Sequence, residues 1–238
     1  MKSKISVIVP VYNHAEELPA TLESIFGQTF SARGGDLEVI VVNDGSSDNI
    51  ELVLAKWRKK YSNLKIISQP HRGAPAARNR GFEEARGEYV IFWDADMTAK
   101  PEMLEKELAE LENHPEASYV YPSFKFGWKH FRCGHFDPVK IKKVNFVHTS
   151  ALIRREHFPY FNESLKKFQD WDLWLTMLEQ GRRGRWIPET LFHIRPRRQG
   201  ISSWLPSFVY HFPWLPIPAL KKYNYWKNIL AKKHGLVR

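Results

Sequence analysis

Residues 90–104 read VIFWDADMTAKPEML. A run of strand-forming residues ends in Asp94, a small Ala95 and Asp96. Carboxylates are disfavoured in strands and costly to bury, so two of them at this point mark a strand end with work to do. The same pattern recurs on either side. Residues 5–11, ISVIVPV, and 37–42, LEVIVV, are apolar, β-branched runs typical of strands buried on both faces. Residues 64–67, LKII, 88–93, EYVIFW, and 117–121 read as three more strands. Helical signals lie between them. Asn13 is expected to cap a helix faced by Leu18, Leu22 and Ile25, and Ser47 or Asp48 one faced by Ile50, Val53, Leu54, Trp57 and Tyr61. Pro75 suits the first turn of a helix ending near Gly87, and Pro101 opens one with Leu104, Leu108 and Leu111 at helical spacing. Alternating strands and helices imply an α/β fold with a mainly parallel sheet covered on both faces.

Past residue 121 the pattern loosens. Residues 144–154, VNFVHTSALIR, look like strand, and Asp170 or Asp172 starts a helix that ends at Gly181. Charge divides at the same place. Residues 1–120 hold 14 Lys/Arg against 19 Asp/Glu, a net −5, while residues 121–238 hold 22 against 7, a net +15. A basic half beside an acidic one points to an anionic partner such as a phosphate, a lipid surface or nucleic acid. The single cysteine, Cys133, excludes an intramolecular disulfide and a multi-cysteine zinc site, which suits a reducing cytosol. MKSKISVIVPVYN reads as a first strand and not as a signal peptide.

In open α/β sheets, ligands bind beyond the carboxyl ends of the strands, where Asp94 and Asp96 fall. Two hard oxygen ligands suit Mg²⁺ or Mn²⁺, which bridge phosphates. Alone, the pair reads more simply as a helix cap and a solvated loop residue. Company changes the weight. The second strand ends in NDGSSD, residues 43–48, which brings Asp44 to the same sheet edge. Residues 71–81, HRGAPAARNRG, offer small residues for close approach, and Arg72, Arg78 and Arg80 to meet phosphate or an acidic loop.

PVYN at 10–13, NDGSSD at 43–48, the RG and AARNRG run at 72–81, DAD at 94–96 and QDWDLWL at 169–175 occur in that order. Together they resemble the family 2 glycosyltransferases of the GT-A fold, over roughly residues 4–200. The resemblance implies a Rossmann-like, mainly parallel sheet flanked by helices. It also implies inverting transfer of a sugar from a nucleoside diphosphate-sugar donor to a glycan or lipid-linked acceptor, assisted by Mn²⁺ or Mg²⁺. Residues matching Pro10, Tyr12 and Asp44 would hold the nucleobase and ribose, with Arg78 supporting that pocket. Asp94 would contact the ribose and Asp96 ligate the metal. Asp170 would be the base that takes the acceptor proton, although as a residue by itself it reads as a helix N-cap. Two departures stand out. The family's Glu-Asp pair is Gln169-Asp170 here, and its later Arg-then-His segment is HIRPRRQGISS, residues 193–203. Arg195 matches the Arg and, with Arg197 and Arg198, is expected at the diphosphate, while His193 is a weak substitute metal ligand.

The chain therefore divides into residues 1–200, the catalytic domain, and residues 201–238, a C-terminal aromatic and basic arm. Four prolines between residues 206 and 218 forbid one spanning helix. The arm reads equally as an interfacial segment on an anionic membrane, placing the protein in the cytoplasm and peripherally on the inner face, or as a strap packed on the domain. A nucleotidyltransferase is disfavoured because PVYNHAEE lacks a Gly-rich basic loop. A nucleic-acid-binding protein would leave the carboxylates unexplained.

Overall fold

Apolar strand runs dictate the first half of the molecule. A computed structural model describes residues 5–196 and 217–236. Strands β1 (Ile5–Val11), β2 (Leu37–Asp44) and β3 (Leu64–Gln69) are joined through α1 (Leu18–Phe26), α2 (Thr29–Ala32) and α3 (Ile50–Lys60). Next come α4 (Ala74–Glu83), β4 (Tyr89–Phe92), β5 (Met97–Ala99) and α5 (Met103–Asn113). β1 pairs in parallel with both β2 and β4, and β2 in parallel with β3. Ile5, Val7, Val9 and Ile91 face one hydrophobic cluster while Ile8, Val90 and Phe92 face another, so these strands are buried on both sides as their sequences require.

Two caps expected from sequence are not used as caps. Asn49 precedes α3 and Glu17 precedes α1, neither with a side-chain cap bond. Asp48 Oδ2 instead accepts from the Ala15 N–H at 2.8 Å, and Asn13 Oδ1 from the Ser47 N–H at 2.7 Å. Asn13 takes φ 56°, a left-handed conformation that asparagine tolerates better than most residues. These side chains tie the loop after β1 to the loop after β2, so the polar groups are spent between loops rather than on helix ends.

The second half is mixed. β6 (Tyr119–Phe126), β7 (Lys129–Phe131), α6 (Pro138–Lys143), β8 (Leu152–Arg154), α7 (Gln169–Glu179) and β9 (Gly184–Ile194) follow. The described strands form one sheet in the order β3-β2-β1-β4-β8-β6-β9-β5, with β7 on β6. β8 is antiparallel to both β4 and β6, and β9 is parallel to β6 but antiparallel to β5. Of the strand expected over 144–154 only Leu152–Arg154 forms. Residues 144–151 leave the sheet because their polar groups serve the site described below.

The last helix, α8 (Pro218–Lys233), folds back on α7. Leu230, with Trp226 and Ile229, packs on Leu165, Trp171 and Leu175. Asp172, buried to 2%, accepts from Lys233 Nζ at 2.6 and 2.8 Å and from His234 Nε2 at 2.8 Å. For the described part of the arm, packing on the domain is the observed arrangement. Residues 197–216, including Arg197, Arg198, Trp204, Tyr210 and Trp214, lie outside the described residues. No described helix is long and apolar enough to cross a membrane.

Candidate functional site

β2 delivers Asp44 to its carboxyl end, where Gly45 at φ 71° turns the chain. A Cβ there would lie 2.7 Å from His71 N, so a side chain would push the two loops apart. Asp44 Oδ1 accepts from the Arg72 N–H at 2.9 Å and Gln69 Nε2 at 2.7 Å, and Oδ2 from the Gly73 N–H at 2.8 Å. His71 Nδ1 lies 2.8 Å from the same Oδ2. Asp44 thus fixes the loop that leads into α4. Above it the Tyr12 ring, half exposed, stacks on His71 at 3.9 Å. Pro10 sits opposite Val42 in the β1–β2 ladder, two residues before Tyr12.

α4 then presents Arg78, which is buried. Its Nη2 donates to Asp94 Oδ1 at 2.8 Å and its Nη1 to Gln169 Oε1 at 3.4 Å. Its guanidinium lies 5.2 Å from the centre of the Phe161 ring. Arg72 and Arg80 do not join it: Arg72 pairs with Glu163, and Arg80 with Glu83 and Glu84. Burial pushes the Asp94 carboxyl up, but the charges of Arg78 and then His148 outweigh it and hold Asp94 below the usual carboxylate range.

His148 comes from the segment read as strand, and sequence reasoning missed it. Its Nε2 is 3.5 Å from Asp94 Oδ2, and its ring lies 5.2 Å from both Phe124 and Phe192. The Ser150 N–H donates to His148 Nδ1 at 3.2 Å. That makes Nδ1 the acceptor and assigns the proton to Nε2, facing Asp94. Burial lowers the imidazole pKa despite the Asp94 and Asp170 charges, which favours the neutral ring at pH 7.

Asp170 lies in the first turn of α7, after Phe168 in a left-handed conformation at φ 61°. Asn145 Nδ2 donates to its Oδ2 at 2.6 Å and the Trp171 N–H to its Oδ1 at 2.9 Å. Burial raises its pKa, and the His148 charge, the Trp171 N–H and Arg78 only partly reverse this. Asn145 was also missed, although VNFVHTS does place two polar side chains among apolar ones. Asp172, expected to help cap the helix, points to α8 instead. The loop before α7 is anchored to α4 by Asn79, whose amide donates to Phe161 O and accepts from the Phe161 N–H, both at 2.9 Å.

Asp96 follows in the turn before β5, and the Arg195 N–H donates to its carbonyl at 3.1 Å. Thr98 pairs with His193 in the β5–β9 ladder, on the face opposite the buried Met97 and Ile194, and Asp96 and Arg195 meet through that backbone bond just past the ladder's end. His193 Nε2 is 3.1 Å from Gly127 O, which engages that nitrogen with the β6–β7 turn. Among the described residues no group of three or more His, Cys, Asp or Glu side chains converges as a protein-only metal cage. A carboxylate such as Asp96 still fits Mg²⁺ or Mn²⁺ in the mode where one or two carboxylates are completed by substrate phosphates and water.

A family model described as Glycosyl transferase family 2 matches residues 6–173. A cholesterol galactosyltransferase of Borreliella burgdorferi is 42% identical over 104 residues, 44% of this chain and 28% of that protein. The chain spans 28–31% of the length of the relatives it matches at 36–42% identity. Among solved structures, S. aureus TarS 1-349 in complex with UDP-GlcNAc has a TM-score of 0.73 at 24% identity, covering 88% of this chain and 63% of that one. Mannosyltransferase PcManGT from Pyrobaculum calidifontis, in complex with GDP-Man and Mn²⁺, has a TM-score of 0.67 at 20% identity, covering 99% and 70%. At these identities the structural likeness concerns the fold.

Proposed function

Because the chain belongs to glycosyl transferase family 2 and has the GT-A fold of its solved neighbours, we propose that it moves a sugar from a nucleoside diphosphate-sugar to an acceptor hydroxyl, with inversion. One observation carries the reading. A half-buried carboxylate with a raised pKa, Asp170, is held by Asn145 beside the strand-end group Asp94, Arg78 and His148. A general base works best when its pKa approaches the working pH and its orientation is fixed.

In this scheme Tyr12, Pro10 and Asp44 border the nucleobase and ribose, Asp94 meets the ribose, and Arg78 holds Asp94 in its charged form. Asp170 takes the acceptor proton as the acceptor oxygen bonds to the anomeric carbon. The bond from that carbon to the donor diphosphate breaks, and its electron pair leaves with the nucleoside diphosphate. Arg195, whose backbone N–H bonds the Asp96 carbonyl just past the ladder, supplies positive charge to that leaving group. Asp96 would hold Mn²⁺ or Mg²⁺, which when bound stabilises charge on the diphosphate as a Lewis acid. His193 is the weaker ligand, since its Nε2 is already engaged. The neighbours solved with UDP-GlcNAc and with GDP-Man and Mn²⁺ support the donor class and the metal. The acceptor is a glycan or lipid-linked intermediate handled in the cytoplasm.

Gln169 distinguishes this site. A glutamate there would place a second carboxylate against Arg78, whereas the amide leaves Arg78 to Asp94. The test is a thermal-shift and turnover panel of UDP-, GDP- and dTDP-sugars on the full chain, with and without Mn²⁺. One nucleoside diphosphate should raise the melting temperature in a metal-dependent way, by about 2.7 kcal/mol of stabilisation at a hundredfold excess over Kd. Failure of every donor to bind or be consumed sinks the reading.

A further inference from the structure

Trp128 is 95% exposed, an extreme value for the largest apolar side chain. It sits at the tip of the β6–β7 hairpin, in a two-residue turn begun by Gly127 at φ 57°, the Gly-first pattern of tight hairpins. The turn lifts the indole clear of the body. The stretch of chain that carries it is strongly basic. Residues 125–143 contain Lys125, Lys129, Arg132, Lys140, Lys142 and Lys143 against Asp137 alone, and all six basic residues are exposed. Val139 and Val144, 61% and 49% exposed, add apolar surface on and just after α6. The chain just past the hairpin is tied to the helix, since Lys140 Nζ donates to Cys133 O at 3.2 Å. Asn145, which holds Asp170, is the next residue after Val144.

A basic edge strand alone is explained by the need to prevent edge-to-edge pairing. That need calls for the lysines and leaves the projecting tryptophan unexplained. Indole rings favour the headgroup region of a bilayer, and clustered lysines favour anionic lipid. We propose that the β6–β7 hairpin and α6 form the face that docks this protein on an anionic bilayer, with the Trp128 indole among the headgroups and the lysines over lipid phosphates. Docking there puts the Asn145–Asp170 end of the site beside the membrane. The proposal stands whether or not the transfer reaction is as described, because it rests on the surface alone. It relocates membrane contact from the C-terminal helix, whose Trp226 and Ile229 are turned onto the domain.

The test is flotation of the full chain with phosphatidylcholine vesicles, with and without phosphatidylserine, at low and high salt. Binding should require phosphatidylserine and fall with salt. Trp128→Ser should weaken it several-fold, and Lys142→Ala with Lys143→Ala by about fivefold per lysine. Lys221→Ala with Lys222→Ala, on α8, should leave it nearly unchanged. Donor turnover without vesicles and the melting temperature, read for every variant, separate a docking defect from a failed site or fold. No binding to anionic vesicles, equal binding to neutral ones, or loss through the α8 pair but not through the hairpin and α6 variants would each overturn the proposal.

Discussion

β1, β2 and β4 bring Pro10, Asp44 and Asp94 to one sheet edge by strand geometry alone, because each of these residues lies at or just beyond the end of a parallel strand. Asn145, His148 and Asp170 reach the same region differently. The first two ride on a segment without regular structure, and the third on a helix whose start is set by a left-handed Phe168 and by the anchor at Asn79. One half of the site is therefore placed by local sequence and the other by long-range packing. Arg78 joins them, with one guanidinium nitrogen on Asp94 and another on Gln169. The two halves should fail in different ways when cut.

The largest effect is expected on the packed half. Asp170→Asn keeps the size of the side chain and removes the proposed base, so turnover should fall by about 10²-fold or more while donor affinity stays nearly constant. The wild-type rate should rise with pH as Asp170 loses its proton, with the acid limb displaced upward from the ordinary carboxylate range. Stopped assays across pH with both proteins check this. A wild-type rate in the mutant would make Asp170 a structural residue only.

Next comes the strand-end half. Asp96→Ala should cost roughly 10- to 100-fold in metal-dependent donor binding, by analogy with the loss of a group supporting a metal, and leave binding without metal unaltered. Calorimetry with UDP or GDP, with and without Mn²⁺, reads the difference. If Asp96→Ala instead lowers turnover at unchanged donor affinity, the division between a donor half and a base half is wrong.

The unequal legibility of the two halves has the same origin. Period-two and apolar-run patterns located β1, β2, β3 and β4 within a few residues, because those strands are buried on both faces and their composition has little freedom. Asp44 and Asp94 were visible as carboxylates interrupting such runs. Residues 144–151 misled because Val147 is buried against α7 and not by strand pairing: it clusters with Leu173, Trp174 and Met177, and Trp174 Nε1 donates to Val147 O at 2.9 Å. His148 and Asn145 carried no local signal of their partners, which lie 54 and 25 residues away in sequence. The helical caps misled for a related reason, since Asn13 and Asp48 satisfy each other's loops. α8 hid its docking face, since an alternation of lysines and aromatics suits either a bilayer or a strap.

A smaller effect tests the attachment of α8 to α7. Burial pushes the His234 imidazole down, but its bonds to Asp172 and Glu179 outweigh that and raise its pKa. Its stabilisation is full below the ordinary imidazole range and is lost as pH rises through the raised folded value. Asp172 behaves oppositely. Burial raises it, His234 and Lys233 more than compensate, and its depressed pKa means stability is lost as pH falls through that value. The helix should be held best between those limits. His234→Ala should cost about 2 kcal/mol below neutral pH and less above it. Hydrogen exchange of α8 amides across pH measures this, and equal losses at both ends of the range would mean that packing alone holds the helix.

The smallest effect concerns a residue that neither half of the site uses. Glu107 lies on the stripe of Leu104, Leu108 and Leu111 on α5 and is fully buried, and among the described residues no side chain hydrogen-bonds its carboxyl oxygens. Burial raises its pKa well above the usual range and outweighs the opposing Leu152 backbone. A carboxyl of this kind stays protonated in the folded chain and ionises when the chain unfolds. Stability should therefore decline as pH rises from the ordinary carboxylate range toward the raised folded value. Glu107→Leu has similar volume and no polar atoms to strand, so it should stabilise the fold by about 1 kcal/mol. It should also flatten that decline, while donor binding and turnover stay at wild-type levels. Denaturant midpoints at two pH values give the answer. A destabilised leucine variant would mean that the carboxyl has a partner worth more than its burial costs. A stabilised variant with altered turnover would mean that α5 is coupled to the site through β6 and β8, and the separation between scaffold and site would have to be redrawn there.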